Sequence, residues 1–193
     1  PEGPAGSNSE SPTQNVGALR DGGALVMTDG QLAARAQLIR QYGWVDKDRQ
    51  GEIGGRNSRL DEVQAAVLLS FLEHLDDTNA RRRAIANRLS TEISNDAIIT
   101  PDVRGKEYVA HLYVIRTEHR DALATYLRQQ SIASDVHFPI PDHKQPVFGE
   151  LFSDVRLANT DKLCREILTL PCFPEMSNAQ VSHVISAINK WRP

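Results

Sequence analysis

The chain has 193 residues, 40% of them hydrophobic and 24% charged, a globular composition with length for one domain or a small pair of subdomains. A formal net charge of −3 and a pI near 6.1 give no basic field for a phosphate backbone, which argues against a nucleic-acid partner. No apolar run approaches the roughly 18 residues of a membrane span, and no signal-peptide pattern opens the sequence, so a cytoplasmic protein without a membrane partner is expected.

Residues 1–12 are rich in Gly, Pro and Ser and lack apolar periodicity, which predicts a flexible lead segment. Ala24–Thr28 reads as a strand. Thr28 to Gln31 offers a capping-box start to a helix with Leu32, Ala36 and Ile39 on one face. Residues 43–58, punctuated by Gly43, Gly51, Gly54 and Gly55, are expected to be a loop. A long helix should follow, capped by Ser58 with Asp61 at its third position. Its apolar face would run Leu60, Val63, Val67, Phe71 and Leu75. A further helix carries Arg81, Arg82, Arg83 and Arg88 to about Ile93; the run Arg81 to Arg83 is most simply a solvated face, with diphosphate binding the minority alternative.

The second half alternates. Ala97–Thr100, Tyr108–Arg116 and Ile132–Phe138 are strand-like, residues 119–130 are helical, and two more helices are expected at about 157–168 and 178–190. The resulting class is α/β. Cys164 and Cys172 form neither a CxxC pair nor a disulfide-dense scaffold, and buried reduced thiols are expected. His137 and His143 fit no common zinc spacing, and no metal site is expected.

The run Ser9-Glu-Ser-Pro-Thr-Gln-Asn-Val-Gly-Ala-Leu-Arg-Asp-Gly-Gly23 resembles the cofactor-lysine segment of the DegT-type sugar aminotransferases, fold-type I enzymes dependent on pyridoxal phosphate. Gln14 stands at the lysine position. A link to a cofactor aldehyde needs a nucleophilic amine that can lose its proton, and the amide of glutamine does not form an imine. The resemblance continues through Asn57-Ser-Arg-Leu-Asp-Glu-Val-Gln-Ala-Ala66, Ala110-His-Leu-Tyr-Val-Ile-Arg116, His137-Phe-Pro-Ile-Pro141 and Leu168-Thr-Leu-Pro171. It covers residues 12–192 and matches the carboxyl-terminal half of a full-length member.

The fold this implies is the end of the large cofactor domain, residues 13–76 with a linking helix, followed by the small carboxyl-terminal α/β domain at 77–193. The resemblance gives Ser9 a hydroxyl near the cofactor phosphate, although a linker serine is the alternative. It gives Asn57 the phosphate of the neighbouring subunit's site, although capping of the following helix is a local alternative. It gives His137 the substrate side, held in direction by the prolines that follow; a strand-end histidine with a satisfied ring is the alternative. His111 and Tyr113 fall on one strand face and are expected in core or interface.

The implied activity is transfer of an amino group to a keto sugar linked to a nucleotide, and the stretch His137 to Gln145 looks most like members acting on dTDP-3-keto-6-deoxyhexoses. The implied partners are a nucleotide sugar and a second subunit, in a homodimer or with a full-length aminotransferase. In the family the phosphate loop, the ring-stacking aromatic and the aspartate at the pyridine nitrogen belong to the amino-terminal half, which these residues do not match. With Gln14, the expectation is therefore a chain inactive alone. A trapped or partial enzyme, a non-catalytic dimerisation or stabilising partner, and catalysis by another route all remain open.

Overall fold

The computed structural model describes residues 5–9, 15, 17, 22–103 and 105–193. The chain forms two compact units, Pro1–Asp76 and Asp77–Pro193. In the first, β1 (Ala5–Ser9) pairs antiparallel with β2 (Gly23–Met27). The segment whose composition predicts flexibility thus carries a strand, because a neighbouring strand satisfies backbone groups whatever side chains they bear.

Helix α1 (Gly30–Ile39) follows, and its cap is Asp29 rather than Thr28: the Asp29 carboxylate accepts from the backbone N–H of Gln31 at 2.8 Å and of Leu32 at 3.2 Å. The expected loop at 43–58 contains a small hairpin, β3 (Trp44–Asp46) against β4 (Arg49–Gln50), turning through a left-handed Asp48. Gly43 is required here, since its φ is +70° and a Cβ would strike the Glu52 carbonyl.

Ser58 does not cap the next helix. Its N–H donates to the Arg40 carbonyl at 3.0 Å, and Asn57 bridges Gln41, which holds 57–58 extended. Helix α2 (Glu62–Leu72) therefore starts later, with Asp61 as its N-cap and no side-chain cap bond. Leu68 is buried, whereas Val63 and Phe71 of the expected apolar face are exposed.

The second unit holds the core. Strand β5 (Tyr113–Arg116) pairs antiparallel with β6 (Ile167–Leu170), register Tyr113 to Leu170 and Arg116 to Ile167. Single bridges widen this ribbon, Ile99 to Arg116 on one side and Asp135 to Thr169 on the other. The expected strands at 97–100 and 132–138 are reduced to these contacts. The strand expected from Tyr108 begins only at Tyr113, since Ala110 adopts a left-handed φ of 48°. β6 occupies a stretch expected only to separate two helices.

Helices α3 (Leu75–Glu92), α4 (Arg120–Gln129), α5 (Ala158–Glu166) and α6 (Asn178–Lys190) complete the unit. Ile85 and Leu89 of α3, Leu123 and Leu127 of α4, and Val181 and Ile188 of α6 pack with Tyr113, Ile115, Leu168 and Leu170 in one cluster. Burying each such side chain contributes about 1.5–3 kcal/mol. Ser177 closes α6 with a reciprocal capping box, donating its N–H to Gln180 Oε1 at 2.8 Å while its hydroxyl accepts from the Gln180 N–H at 3.2 Å. Among the described residues no helix is long and apolar enough to cross a membrane.

Candidate functional site

Gln14 lies outside the described residues. Ser9 ends β1 opposite Gly23. Asn57 belongs to the first unit and His137 to the second.

Asn57 is exposed and lines a concavity of about 610 Å³ with Arg40, Gln41, Arg59, Leu60, Asp61 and Glu62. Its position follows from the extended 56–58 segment: Tyr42 N–H donates to the Arg56 carbonyl at 3.0 Å, and the Gln41 bridge continues the pairing. The Arg59 guanidinium donates through Nε to Asn57 Oδ1 at 3.1 Å. That bond occupies the amide oxygen and orients the amide nitrogen as a donor. Asn57 is not the helix cap, since it lies four positions before Asp61, the N-cap of α2. Two guanidinium groups and two side-chain amides on the lining suit an anionic group such as a phosphate. The carboxylates of Asp61 and Glu62 occupy the same rim and oppose it.

His137 is half-buried where the 132–138 segment meets β6. Its Nδ1 lies 2.8 Å from the Thr169 hydroxyl, and its Nε2 lies 4.0 Å from Asp135 Oδ2. Asp135 exchanges both backbone bonds with Thr169, at 2.7 and 3.2 Å, and its Oδ1 accepts from the Val136 N–H at 2.8 Å. The next residue, Phe138, is 76% exposed with φ +61°. A bulky residue in the left-handed region is a costly conformation that recurs at binding sites. Its ring stands 6.4 Å from the imidazole. His111 is exposed rather than in the core, whereas Tyr113 is fully buried. Although the residue is exposed, partial desolvation of its ring, with Arg82 and His137 nearby, lowers the His111 pKa.

Thr169 is the partner that sequence reasoning missed. A lone hydroxyl inside Leu168-Thr-Leu170, a strand otherwise apolar, was its signal, since a buried hydroxyl must find a partner. A second concavity, about 250 Å³, is lined by His143, Lys144, Gly149, Phe152, Ser153, Val155 and Arg156. Lys144 is paired with Asp161 at 2.5 Å. Among the described residues no group of three metal-ligating side chains gathers.

The mixed α/β architecture is that of fold-type I sugar aminotransferases. It superimposes on the structure of S. venezuelae DesV in complex with ketimine intermediate with a TM-score of 0.89 and 35% identity, over 97% of this chain and 51% of that one. Residues 3–189 match the DegT/DnrJ/EryC1/StrS aminotransferase family, and the chain belongs to it. It is 40% identical over 194 residues to a "pleiotropic regulatory protein" of Geobacillus stearothermophilus, covering 98% of this chain and 52% of that protein. It is also 40% identical over 171 residues to a dTDP-3-amino-3,6-dideoxy-alpha-D-galactopyranose transaminase of Aneurinibacillus thermoaerophilus, covering 88% and 47%. The chain spans about half the length of the curated relatives it matches.

Proposed function

We propose that this chain is part of a cytoplasmic nucleotide-sugar aminotransferase scaffold whose substrate is a dTDP-linked 3-keto-6-deoxyhexose, and that Gln14 prevents covalent attachment of the cofactor. The observation that carries the reading is the 40% identity to the dTDP-3-amino-sugar transaminase, in a chain that matches the family over residues 3–189. Aminotransferases of this family use pyridoxal phosphate, which when bound supplies an electron sink for moving an amino group.

The chain's own residues have definite tasks in this reading. Asn57, its oxygen tied to Arg59, offers its amide nitrogen to the cofactor phosphate of a neighbouring subunit, so that the working unit is a dimer. The Ser9 hydroxyl donates to the phosphate of its own site. His137, held against β6, faces the sugar nucleotide. Gln14 has no basic nitrogen to take up or return a proton at the reacting carbon, and the chain does not turn over alone.

Gln14 also favours a second reading, a non-catalytic partner that dimerises with or stabilises an active relative. The test is to express the protein from its natural reading frame, add pyridoxal phosphate and record the visible spectrum before and after borohydride. No borohydride-fixed band is expected with Gln14, and one should appear in Gln14→Lys. A strong reducible band in the unaltered protein would overturn the reading, because Lys47, Lys106 or Lys144 would then be doing the work. Amination of a dTDP-keto sugar only when an active relative is co-expressed would select the second reading.

A further inference from the structure

We infer that Thr169 is a positioning residue that fixes His137 as the tautomer protonated on Nε2, leaving that N–H, beside Asp135, as a hydrogen-bond donor to an oxygen of the sugar nucleotide. The inference rests on the proposed substrate-facing role of His137. Its structural content stands on the contact between His137 and Thr169.

A neutral imidazole carries one donor and one acceptor, and the partner of one nitrogen decides the role of the other. Nδ1 is 2.8 Å from the Thr169 hydroxyl, which could donate or accept. The tie is broken on the other side of the ring. Nε2 faces the Asp135 carboxylate at 4.0 Å, and a carboxylate attracts an N–H but repels a nitrogen lone pair. Oδ1 of Asp135 accepts from the Val136 N–H, and at 4.0 Å Oδ2 attracts the ring N–H without closing a hydrogen bond, so that donor stays available to a ligand oxygen. Nε2 therefore carries the proton, and the Thr169 hydroxyl donates to Nδ1.

The support is rigid because Thr169 is only 7% exposed and lies in β6, between β5 and the bridge to Asp135. Backbone bonds of 2.7 and 3.2 Å lock Asp135 and Thr169 together, so the hydroxyl and the carboxylate that contact the ring share one frame. A buried hydroxyl on a strand loses little further freedom in holding the imidazole.

The experiment is long-range 15N NMR of the histidine rings above pH 7.5, with the His137 signals assigned by their loss in His137→Gln, for the unaltered protein, Thr169→Val and Thr169→Ser. The unaltered protein should show His137 with Nε2 protonated and Nδ1 bare. Thr169→Ser should keep that pattern, and Thr169→Val should shift toward the tautomer mixture of an exposed histidine while retaining its fold by circular dichroism. A ring protonated on Nδ1 in the unaltered protein, or ring signals unmoved in Thr169→Val, would overturn the inference.

Titration with dTDP separates the two layers. Thr169→Val should bind about five- to tenfold more weakly, and Thr169→Ser within about twofold of the unaltered protein, as expected for one hydrogen bond. If no form binds dTDP while the tautomer pattern holds, the sugar-nucleotide reading fails, and the positioning of His137 by Thr169 stands.

Discussion

Arg82 and Cys172 are joined twice: the Arg82 guanidinium donates to the Cys172 carbonyl at 2.6 Å, and the Cys172 thiol donates to the Arg82 carbonyl at 3.7 Å. The same guanidinium reaches the Ala110 carbonyl at 3.5 Å, and Arg81 donates to the Met176 carbonyl at 2.6 Å. Two of the arginines expected as a solvated face, Arg81 and Arg82, thus fasten α3 to the segments leaving β6 and entering β5.

Arg82→Ala should lower unfolding stability by about 2–3 kcal/mol, because partly buried carbonyls lose a charge-assisted donor. Arg82→Lys should recover less than half, since both bonds come from Nη1, which lies one atom beyond the reach of a lysine ammonium. Urea unfolding at constant m-value measures both. A loss under about 0.5 kcal/mol in Arg82→Ala, the range of ordinary surface changes, would return the residue to the solvated class.

The two cysteines should differ in reactivity. Burial pushes the Cys172 thiol up to about 11, against a smaller opposing pull from Arg82, whereas Cys164 is only half-buried. The thiolate is the reactive form. At pH 8 a disulfide reagent should modify Cys164 in the native protein and reach Cys172 only after denaturation. Two thiols reacting at one rate would contradict the burial of Cys172.

Helices were legible where an apolar stripe and a polar face coincided: α4 and α6 fall within a residue or two of their expected spans because Leu123, Leu127, Val181 and Ile188 recur at helical spacing. Strands were less legible because pairing is decided by distant backbone. Nothing in the sequence of residues 5–9 announces β1, and the extended 56–58 segment that delays α2 depends on residues 40–42. Among the candidate residues, Asn57 and His137 were visible through family resemblance. Their pairing with Arg59 and Thr169 was not, because hydrogen-bond geometry leaves no periodic trace; the lone hydroxyl between Leu168 and Leu170 was the single local hint.

Alkaline pH should weaken the second unit. Tyr113 is fully buried, and burial pushes its phenol up to about 12, partly offset by its 2.7 Å bond with Ser90. An unfolded tyrosine releases its proton near about 10. The stabilisation tied to the protonated phenol is therefore complete below pH 10 and is lost as pH rises toward 12, on the order of 2–3 kcal/mol for two units. Cys172 adds a similar loss from about pH 9 to 11. Tyr113→Phe should cost about 1 kcal/mol at pH 7 and flatten the fall above pH 10; an unchanged slope would remove Tyr113 as its source.

Acid should act through Glu166. Arg116 donates to it at 2.8 Å through Nη2, and Lys162 stands 3.7 Å from its other oxygen. The Arg116 bond holds its pKa below the ordinary glutamate value. A depressed carboxylate contributes stability that is present above its unfolded pKa and lost as pH falls through the folded one. Glu166→Gln should therefore lower the melting temperature at pH 7 and lessen its fall below about pH 4.5, near the ordinary glutamate value. A parallel displacement at every pH would mean the residue acts only by packing.

Asn57 offers the sharpest check on the proposed cofactor role, because one atom can be changed while its anchor is kept. Asn57→Asp retains an oxygen to accept from Arg59, so the loop geometry defined by the 3.1 Å bond and the Gln41 bridge should persist. The outward amide donor becomes an anion. A carboxylate beside a phosphate repels it and removes a hydrogen bond, so affinity for pyridoxal phosphate should fall by at least about tenfold, or roughly 1.4 kcal/mol. Asn57→Ser, which keeps a donor, should lose less. Quenching of intrinsic tryptophan fluorescence by the cofactor reports the affinity. Equal binding by Asn57→Asp and the unaltered protein would take the phosphate away from Asn57 and leave it a loop residue paired with Arg59.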